Sequence, residues 1–531
     1  MKIADYLLHT LKINGLDTIF GNPGTTEIPL VRACEQLAGM EYIVALSEIA
    51  AVPMADGYAR ALRKPGVVNL HVAPGLGNGM GALYTAGVAG TPLLVLVGGQ
   101  DRRFLHTDPI LWGPVDRMAQ TVCKAVYALN TRHDAAPNVH RALHAVMTPP
   151  YKPVALICPP DLLNETIEAT PGRLRAPSLP GLSASDARRY AVWLTKARSL
   201  ALIVTEEVYW SDAGAEVEAL AAMLGASIYA APYTGVLAVS SRAHGYSGYL
   251  PPSFVQIAQR LEAHDAMLVL GGRGFRTTLY SDARIAARKA WIGHGPQIPV
   301  FDSALDLAAI ADTRLALAAI RSALPRQSSR KAAVKRAALR APASETLHPT
   351  RAMAMLLSRY GRSVWIDESG LSTSDARAMM RLPAGDYFIN GSGGIGWGVP
   401  AAVGAALARR DRQVVAVIGD GSTLYASEAL WTAAHHRTTM LLVVFSNGRY
   451  ATLNEAASRL AGRTLRSFTI EPPAIDFSGL AKLYGWRYLA ASSEDELTRG
   501  LARAGAPLER NTILELKLDP ALKPVTASRH F

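Results

Sequence analysis

Short runs of aliphatic and β-branched residues recur along the chain, at 67–72, 93–97, 154–157, 201–204, 267–270, 414–418 and 441–445. Ala- and Leu-rich stretches of helical length separate them. Most of these runs are apolar at consecutive rather than alternate positions, so both faces of each strand must be buried. Helices packed on both sides of a parallel sheet meet that demand. The expected class is therefore α/β with mainly parallel sheets. Two linker-like segments divide the chain: 170–185, with Pro171, Pro177 and Pro180 among Gly and Ser, and 325–349, rich in Ser, Ala and Arg. Three parts of domain size follow, at about 1–165, 183–322 and 345–531.

The first and third parts read as copies of one unit. One offset of 347 residues, gapless over some thirty positions, pairs Val67-Val68 with Val414-Val415. The same offset pairs Ala82-Leu83-Tyr84-Thr85-Ala86 with Ala429-Leu430-Trp431-Thr432-Ala433, and Thr91 with Thr438. The copies differ at two polar positions: Asp420 faces Ala73, and Asn447 faces Gln100. If Asp420 and Asn447 are metal ligands, only the third part carries the metal, and two copies with divided labour share one ligand.

At 531 residues, 49% hydrophobic and 18% charged, the chain can bury large cores and is not a disordered protein. Its three cysteines, Cys34, Cys123 and Cys158, are odd in number and far apart. That argues against a disulfide framework or a cysteine zinc site and favours a reducing, cytoplasmic setting. Neither a signal peptide nor a run of about 20 apolar residues is read, so no membrane association is expected. The net charge of +12 owes much to Arg326, Arg330, Lys331, Lys335, Arg336 and Arg340, a run without acids that reads as a solvated linker. No nucleic-acid motif accompanies it, so nucleic acid is not expected as a partner; an acidic small molecule is the other use of positive charge.

The strongest chemical signal is Gly419-Asp420-Gly421-Ser422, which follows the run 414–418 and precedes a helix expected at about 423–435. Asn447-Gly448 ends the next strand. Asp and Asn then stand at the carboxyl ends of neighbouring parallel strands, where ligands bind in such sheets. Their oxygens suit a hard cation such as Mg²⁺ or Ca²⁺. The glycines let backbone N–H groups approach a phosphate, and a helix start adds a favourable dipole. A diphosphate bridged to the protein by Mg²⁺ satisfies all of these conditions.

On these residues the chain resembles the thiamine-diphosphate-dependent enzymes of the pyruvate decarboxylase and acetolactate synthase type, in particular the benzoylformate decarboxylase branch. Further matching stretches are Phe20-Gly-Asn-Pro-Gly24, Ala55-Asp-Gly-Tyr-Ala-Arg60, Gly75-Leu-Gly-Asn78, Gly393-Gly-Ile-Gly396 with Pro400-Ala-Ala, and Ile475-Asp-Phe477. The resemblance implies a pyrimidine-binding domain at 1–165, a central domain at 183–322 and a diphosphate-binding domain at 345–531. It implies thiamine diphosphate and Mg²⁺ as cofactors, with Asp420, Asn447 and the backbone carbonyl of Arg449 as metal ligands and Gly419, Gly421 and Ser422 beside the diphosphate. Glu48 matches the glutamate that faces N1′ of the aminopyrimidine and promotes loss of the proton from C2. Its neighbours Val44, Ala45, Ile49, Ala50, Ala51 and Val52 look buried. Ile395 matches the apolar residue that bends the two rings into a V, and the Gly393 backbone would meet the 4′-amino group. The cofactor of such enzymes lies between two subunits, so a homodimer is the minimum and a homotetramer the usual form.

His71, at the end of the run 67–70, matches a catalytic histidine of the decarboxylases. Thr25 stands where benzoylformate decarboxylase has a serine against the substrate carboxylate. Ile110, Leu111, Thr452 and Leu453 align roughly with apolar positions of the substrate pocket. The decarboxylases of this branch carry a second histidine just after a Phe-Arg pair, whereas here Phe275-Arg276 is followed by Thr277-Thr278-Leu279. Threonine donates a proton poorly but can hold a water. The central part also lacks a glycine run after 201–204, where Thr205-Glu206-Glu207 stands, which weakens any case for a bound nucleotide. Together these features imply non-oxidative decarboxylation of a 2-oxo acid. The alternatives are an acetolactate synthase-like carboligase or acyloin lyase and, in a different class, an inactive binding subunit. The retained Glu48, Asp420 and Asn447 speak against the last.

Overall fold

The computed structural model describes residues 1–272, 275–278, 282–296, 299, 301, 303–325 and 339–526. Residues 326–336 of the basic run, and Leu279, lie outside the described residues. Three six-stranded sheets form, each parallel at every pairing of its named strands. The first contains β1 (Thr18–Gly21), β2 (Glu41–Val44), β3 (Gly66–Leu70), β4 (Leu93–Gly98), β5 (Ala125–Ala128) and β6 (Val154–Cys158), in the order β2-β1-β3-β4-β6-β5. The second contains β7 (Leu200–Val204), β8 (Ser227–Ala230), β9 (Tyr246–Tyr249), β10 (Ala266–Leu270), β11 (Arg288–Gly293) and β12 (Leu307–Ile310), in the order β12-β11-β10-β7-β8-β9. The third contains β13 (Val364–Glu368), β14 (Tyr387–Ile389), β15 (Val414–Gly419), β16 (Met440–Ser446), β17 (Arg487–Ala491) and β18 (Thr512–Lys517), in the order β14-β13-β15-β16-β18-β17.

The first and third sheets thus share one order, strand for strand, as duplication requires. Strands β3, β4, β6, β7 and β10 are buried along their whole length, in keeping with continuous apolar runs covered on both faces. One local expectation fails. The helix expected at about 423–435 is two helices, Asp420–Leu424 and Ala429–His435. Between them the Ala429 and Leu430 N–H groups reach back only three residues, to the Ala426 and Ser427 carbonyls, which tightens the backbone into turns. The corresponding stretch of the first copy is one unbroken helix, Val72–Val88.

Two compact units result: Met1–Ser178 with Asn390–Arg412 and Leu424–Thr439, and Leu179–Ile389 with Gln413–Thr423 and Met440–Phe531. In the first unit the helix Gly398–Ala408 lies directly on the helix Glu48–Leu62. Glycine makes that approach possible. A Cβ at Gly57 would sit 2.1 Å from the Ala401 carbonyl oxygen, and one at Gly404 would sit 1.9 Å from that of Met54. The backbones touch where side chains would otherwise hold them apart.

In the second unit, His294 follows β11 and is buried, with Nε2 2.6 Å from Ser211 Oγ. Burial pushes its imidazole down to about 4, against a smaller opposing pull from Asp312.

Two outcomes are expected. Gly404→Ala should lower the unfolding free energy by about 1–3 kcal/mol, read from urea midpoints, because the backbones must separate. The native state keeps His294 neutral, while the unfolded chain protonates it near the ordinary histidine value. Stability should therefore be fully present above about pH 6.5 and fall as pH drops towards 4, by at most about 3 kcal/mol. Urea titrations at pH 7 and pH 4.5 should show a smaller loss in His294→Gln than in wild type.

Candidate active site

In the first unit, Glu48 opens the helix Glu48–Leu62, and Ser47 caps it by accepting the Ala50 N–H at 3.2 Å. Ser47 in turn donates to Glu428. The Glu48 side chain is buried, and its Oε2 accepts from Asn78 Nδ2 at 3.2 Å. Of its flanking residues, Ala45, Ala50, Ala51 and Val52 are buried as expected, but Val44 is only half-buried and Ile49 is 39% exposed. His71 follows β3 and precedes the helix Val72–Val88. Its Nδ1 lies 2.7 Å from Oε2 of the buried Glu27. A carboxylate only accepts, so Nδ1 carries the proton and Nε2 remains for a ligand. Glu27 is itself fixed by the Gly24 N–H at 2.8 Å and by Thr26 Oγ1 at 2.7 Å. The next residue, Val72, has φ +40°, a strained conformation for a β-branched side chain.

Two glycines give this cluster its room. A Cβ at Gly98, the last residue of β4, would fall 1.8 Å from Glu27 Oε1. One at Gly75 would fall 2.8 Å from Glu48 Oε1 and 3.3 Å from His71 Cβ, so Glu48 and His71 flank the same glycine. Thr25 begins the short turn Thr25–Glu27 and is exposed. Ile110 is exposed and Leu111 half-exposed, at 85% and 47%. Their segment is tied back by Gln100 Nε2, which donates to the Ile110 carbonyl at 2.7 Å, and by Gly113, where a Cβ would fall 2.6 Å from that of Ala73.

The loop that carries Gly393 and Ile395 is organised by Asn390. Asn390 Oδ1 accepts from the N–H groups of Ser392 and Gly393, and Nδ2 donates to the Gly394 carbonyl. Gly393 has φ +85°, and Ile395 is 41% exposed despite its apolar side chain. The loop ends at Trp397, whose indole N–H donates to Asp56 at 2.7 Å.

In the second unit, β15 and β16 are neighbours, and Gly419 registers with Phe445. Asp420 and Asn447 therefore leave adjacent strand ends, as their spacing suggested. Asp420 is buried; its Oδ1 accepts from the Gly421 N–H at 2.8 Å, and its Oδ2 from the N–H groups of Asn447 and Gly448 at 2.9 and 2.8 Å. Burial raises its carboxyl above the usual range, and the three amides pull the other way. Asn447 Oδ1 accepts from the Arg449 N–H, and the Arg449 carbonyl from the Ala451 N–H. Ser422 lies in the short helix Asp420–Leu424. Thr452 Oγ1 packs near Gly370, and Leu453 is 45% exposed. Thr278 is exposed, its Oγ1 3.1 Å from the Tyr233 hydroxyl.

Two family patterns match the chain. One is the thiamine pyrophosphate enzyme N-terminal TPP binding domain, over residues 1–122, and the other is the C-terminal TPP binding domain, over 368–514. Benzoylformate decarboxylase from Pseudomonas aeruginosa is 31% identical over 523 residues, which covers 95% of this chain and 97% of that protein. The chain belongs to the thiamine pyrophosphate enzymes. Acetolactate synthase isozyme 1 large subunit from Escherichia coli is 23% identical over 91% of the chain and 88% of its own length. The solved thiamine diphosphate-dependent 4-hydroxybenzoylformate decarboxylase of Rhodococcus jostii RHA1 superposes with a TM-score of 0.89 at 27% identity, covering 98% of this chain and 99% of its own.

As a thiamine pyrophosphate enzyme the chain must hold a diphosphate, and its residues fit one. Asp420 Oδ1 accepts the Gly421 N–H, Asn447 Oδ1 the Arg449 N–H and the Arg449 carbonyl the Ala451 N–H, and an oxygen that accepts one hydrogen bond keeps a lone pair for a cation. Among the described residues no group of three or more His, Cys, Asp or Glu could hold a metal, so this oxygen-only set is the candidate. Sequence reading passed over Glu27, Asn390 and Trp397. The available signal for Glu27 was a glycine ending β4, which leaves space for a carboxylate that local sequence shows only as a loop acid. Glu27→Gln keeps the shape of the pair and removes its charge. It should lower thiamine-diphosphate-dependent turnover by about 10²-fold while leaving the urea midpoint nearly unchanged, which steady-state rates and unfolding curves on one preparation would check.

Proposed function

We propose that this chain is a thiamine-diphosphate-dependent, non-oxidative decarboxylase of 2-oxo acids, of the benzoylformate decarboxylase kind. The observation that carries the reading is the Glu27–His71 pair one glycine away from Glu48. Decarboxylation to an aldehyde needs proton transfers at the substrate in addition to those at the cofactor, and an oriented imidazole provides them. Bound thiamine diphosphate supplies the electron sink that lets the bond to the carboxylate break. Glu48 would exchange a proton with the aminopyrimidine, and Ile395 and the Gly393 backbone would hold the rings. Asp420, Asn447 and the Arg449 carbonyl would hold Mg²⁺, with Gly419, Gly421 and Ser422 beside the diphosphate. Thr25 offers its hydroxyl to the substrate carboxylate, and Ile110, Leu111, Thr278, Thr452 and Leu453 shape the pocket.

The roles divide as 1–165 for the pyrimidine, 183–322 as the central domain and 345–531 for the diphosphate. As in the enzymes it resembles, the glutamate would come from one subunit and the metal ligands from its partner, so a homodimer is the smallest active form and a homotetramer the expected one. Three free cysteines suit a cytoplasmic location. Carboligation is the second reading, supported by the likeness to acetolactate synthases and by Thr278 where a histidine would return a proton.

Incubation with thiamine diphosphate, Mg²⁺ and a panel of 2-oxo acids should release CO₂ and aldehyde; release of neither CO₂ nor acyloin would end both readings. Asp420→Ala should weaken Mg²⁺-dependent cofactor binding at least about 100-fold by calorimetry, and unchanged affinity would remove the metal assignment. A fully active monomer in sedimentation would contradict the shared site.

A further inference from the structure

Residues 235–237 lie antiparallel on β14, which is an edge strand of the third sheet. The Ile389 N–H donates to the Gly235 carbonyl at 3.0 Å, and the Leu237 N–H to that of Tyr387 at 2.9 Å. Because the pairing is antiparallel, Gly235 sits at the carboxyl end of β14. Tyr233, two residues earlier, therefore stands past that end. Asp420 leaves the carboxyl end of β15, two strands away in the same sheet. Strand spacing puts these two ends about 10 Å apart. The loop that carries Tyr233 thus runs past the same sheet edge from which Asp420 emerges.

The phenol is held rather than free to wander. Tyr233 has φ +55°, a conformation that a non-glycine residue keeps only when its surroundings impose it, and such residues cluster at functional sites. Arg276 ties the loop down: Nη1 donates to the Tyr233 carbonyl at 3.3 Å, and Nη2 pairs with the buried Glu206 at 3.0 Å. The Tyr233 hydroxyl meets Thr278 Oγ1 at 3.1 Å in a solvent-exposed contact, and the Thr278 N–H is fixed on the Pro252 carbonyl at 2.8 Å.

We propose that Tyr233, backed by Thr278, is the proton donor on the diphosphate side of the site, in the role that Thr278 alone fills poorly. The inference rests on the decarboxylase reading above. When the bond to the carboxylate breaks, CO₂ leaves and the electron pair stays on the former carbonyl carbon. A C–H bond forms there with the Tyr233 hydroxyl proton. The phenolate recovers a proton from solvent through Thr278, so one solvent proton is consumed for each CO₂ released. A phenol gives up a proton more readily than an aliphatic alcohol, and the hydroxyl behind it can relay one.

The test uses the full-length protein loaded with thiamine diphosphate and Mg²⁺, given benzoylformate and other 2-oxo acids with an aldehyde as acceptor. Aldehyde and acyloin are separated and counted for wild type, Tyr233→Phe and Thr278→Val. Cofactor affinity is measured in parallel by calorimetry. Tyr233→Phe should cut aldehyde release at least about tenfold and shift product towards acyloin, with cofactor affinity unchanged. Thr278→Val, which keeps the phenol, should have a smaller effect in the same direction. An unchanged aldehyde-to-acyloin ratio in Tyr233→Phe overturns the proposal. So does equal loss of cofactor affinity in both variants, which would make the pair a loop staple. If wild type releases no CO₂ from any acid, the decarboxylase reading itself has failed and this inference falls with it.

Discussion

The Asp56 carboxylate is shared between Arg60 and Trp397. Arg60 binds it through Nε and Nη2, each at 2.7 Å, and the indole N–H of Trp397 joins at 2.7 Å. Arg60 also donates to Thr91, and its guanidinium lies 4.7 Å over the Trp397 ring. All four residues are buried, so no water can replace a lost partner. Removing one member of such a pair costs about 3–5 kcal/mol because it strands the other charge. Glu48 starts the helix that carries Asp56 and Arg60, and Trp397 ends the loop that carries Gly393 and Ile395. The network therefore fixes the helix that Glu48 opens against the loop that carries Gly393 and Ile395. The Gly57 and Gly404 contacts let the two helices come close enough for it to form.

The duplicated sheets show how one architecture takes two jobs. Both place loops at the carboxyl ends of their third and fourth strands. In the first copy those ends carry His71 and Gly98, the glycine that admits Glu27. In the other they carry Asp420 and Asn447. The helix after the third strand is continuous in the first copy and broken in the copy that carries Asp420 and Asn447.

Sequence reading reached the strands because a strand buried on both faces must be apolar at consecutive positions, and few other elements impose that pattern. It reached Asp420 and Asn447 because their chemistry and spacing follow from strand and crossover lengths. Glu48 and Ile395 became legible only through family resemblance, since an acid at a helix start and an isoleucine in a glycine loop are ordinary. Glu27 stayed hidden because its partners, His71 and the space at Gly98, come from other strands. Tyr233 stayed hidden for the same reason: its position depends on residues 235–237 joining β14, a pairing between segments about 150 residues apart that no local pattern records. The linkers mark three parts along the chain but say nothing of how Asn390–Arg412 packs with the first, since the Gly57 and Gly404 backbone contacts are permitted by glycines that do not announce them.

The central sheet, by its order β12-β11-β10-β7-β8-β9, reverses direction between β7 and β10, the crevice where doubly wound sheets commonly receive a nucleotide. Here that crevice is furnished against one. Thr205 Oγ1 bridges it by donating to the Leu270 carbonyl at 2.9 Å. Glu207 follows and accepts the His294 N–H at 2.9 Å, while Glu206 is spent on Arg276. Among the described residues, a phosphate entering there would meet the Glu206 and Glu207 carboxylates. The same Arg276 anchors the Tyr233 loop. The acid that occupies the switch point is thus the post to which the loop is moored: a carboxylate set where a ligand crevice would open serves as the bracket of a neighbouring loop.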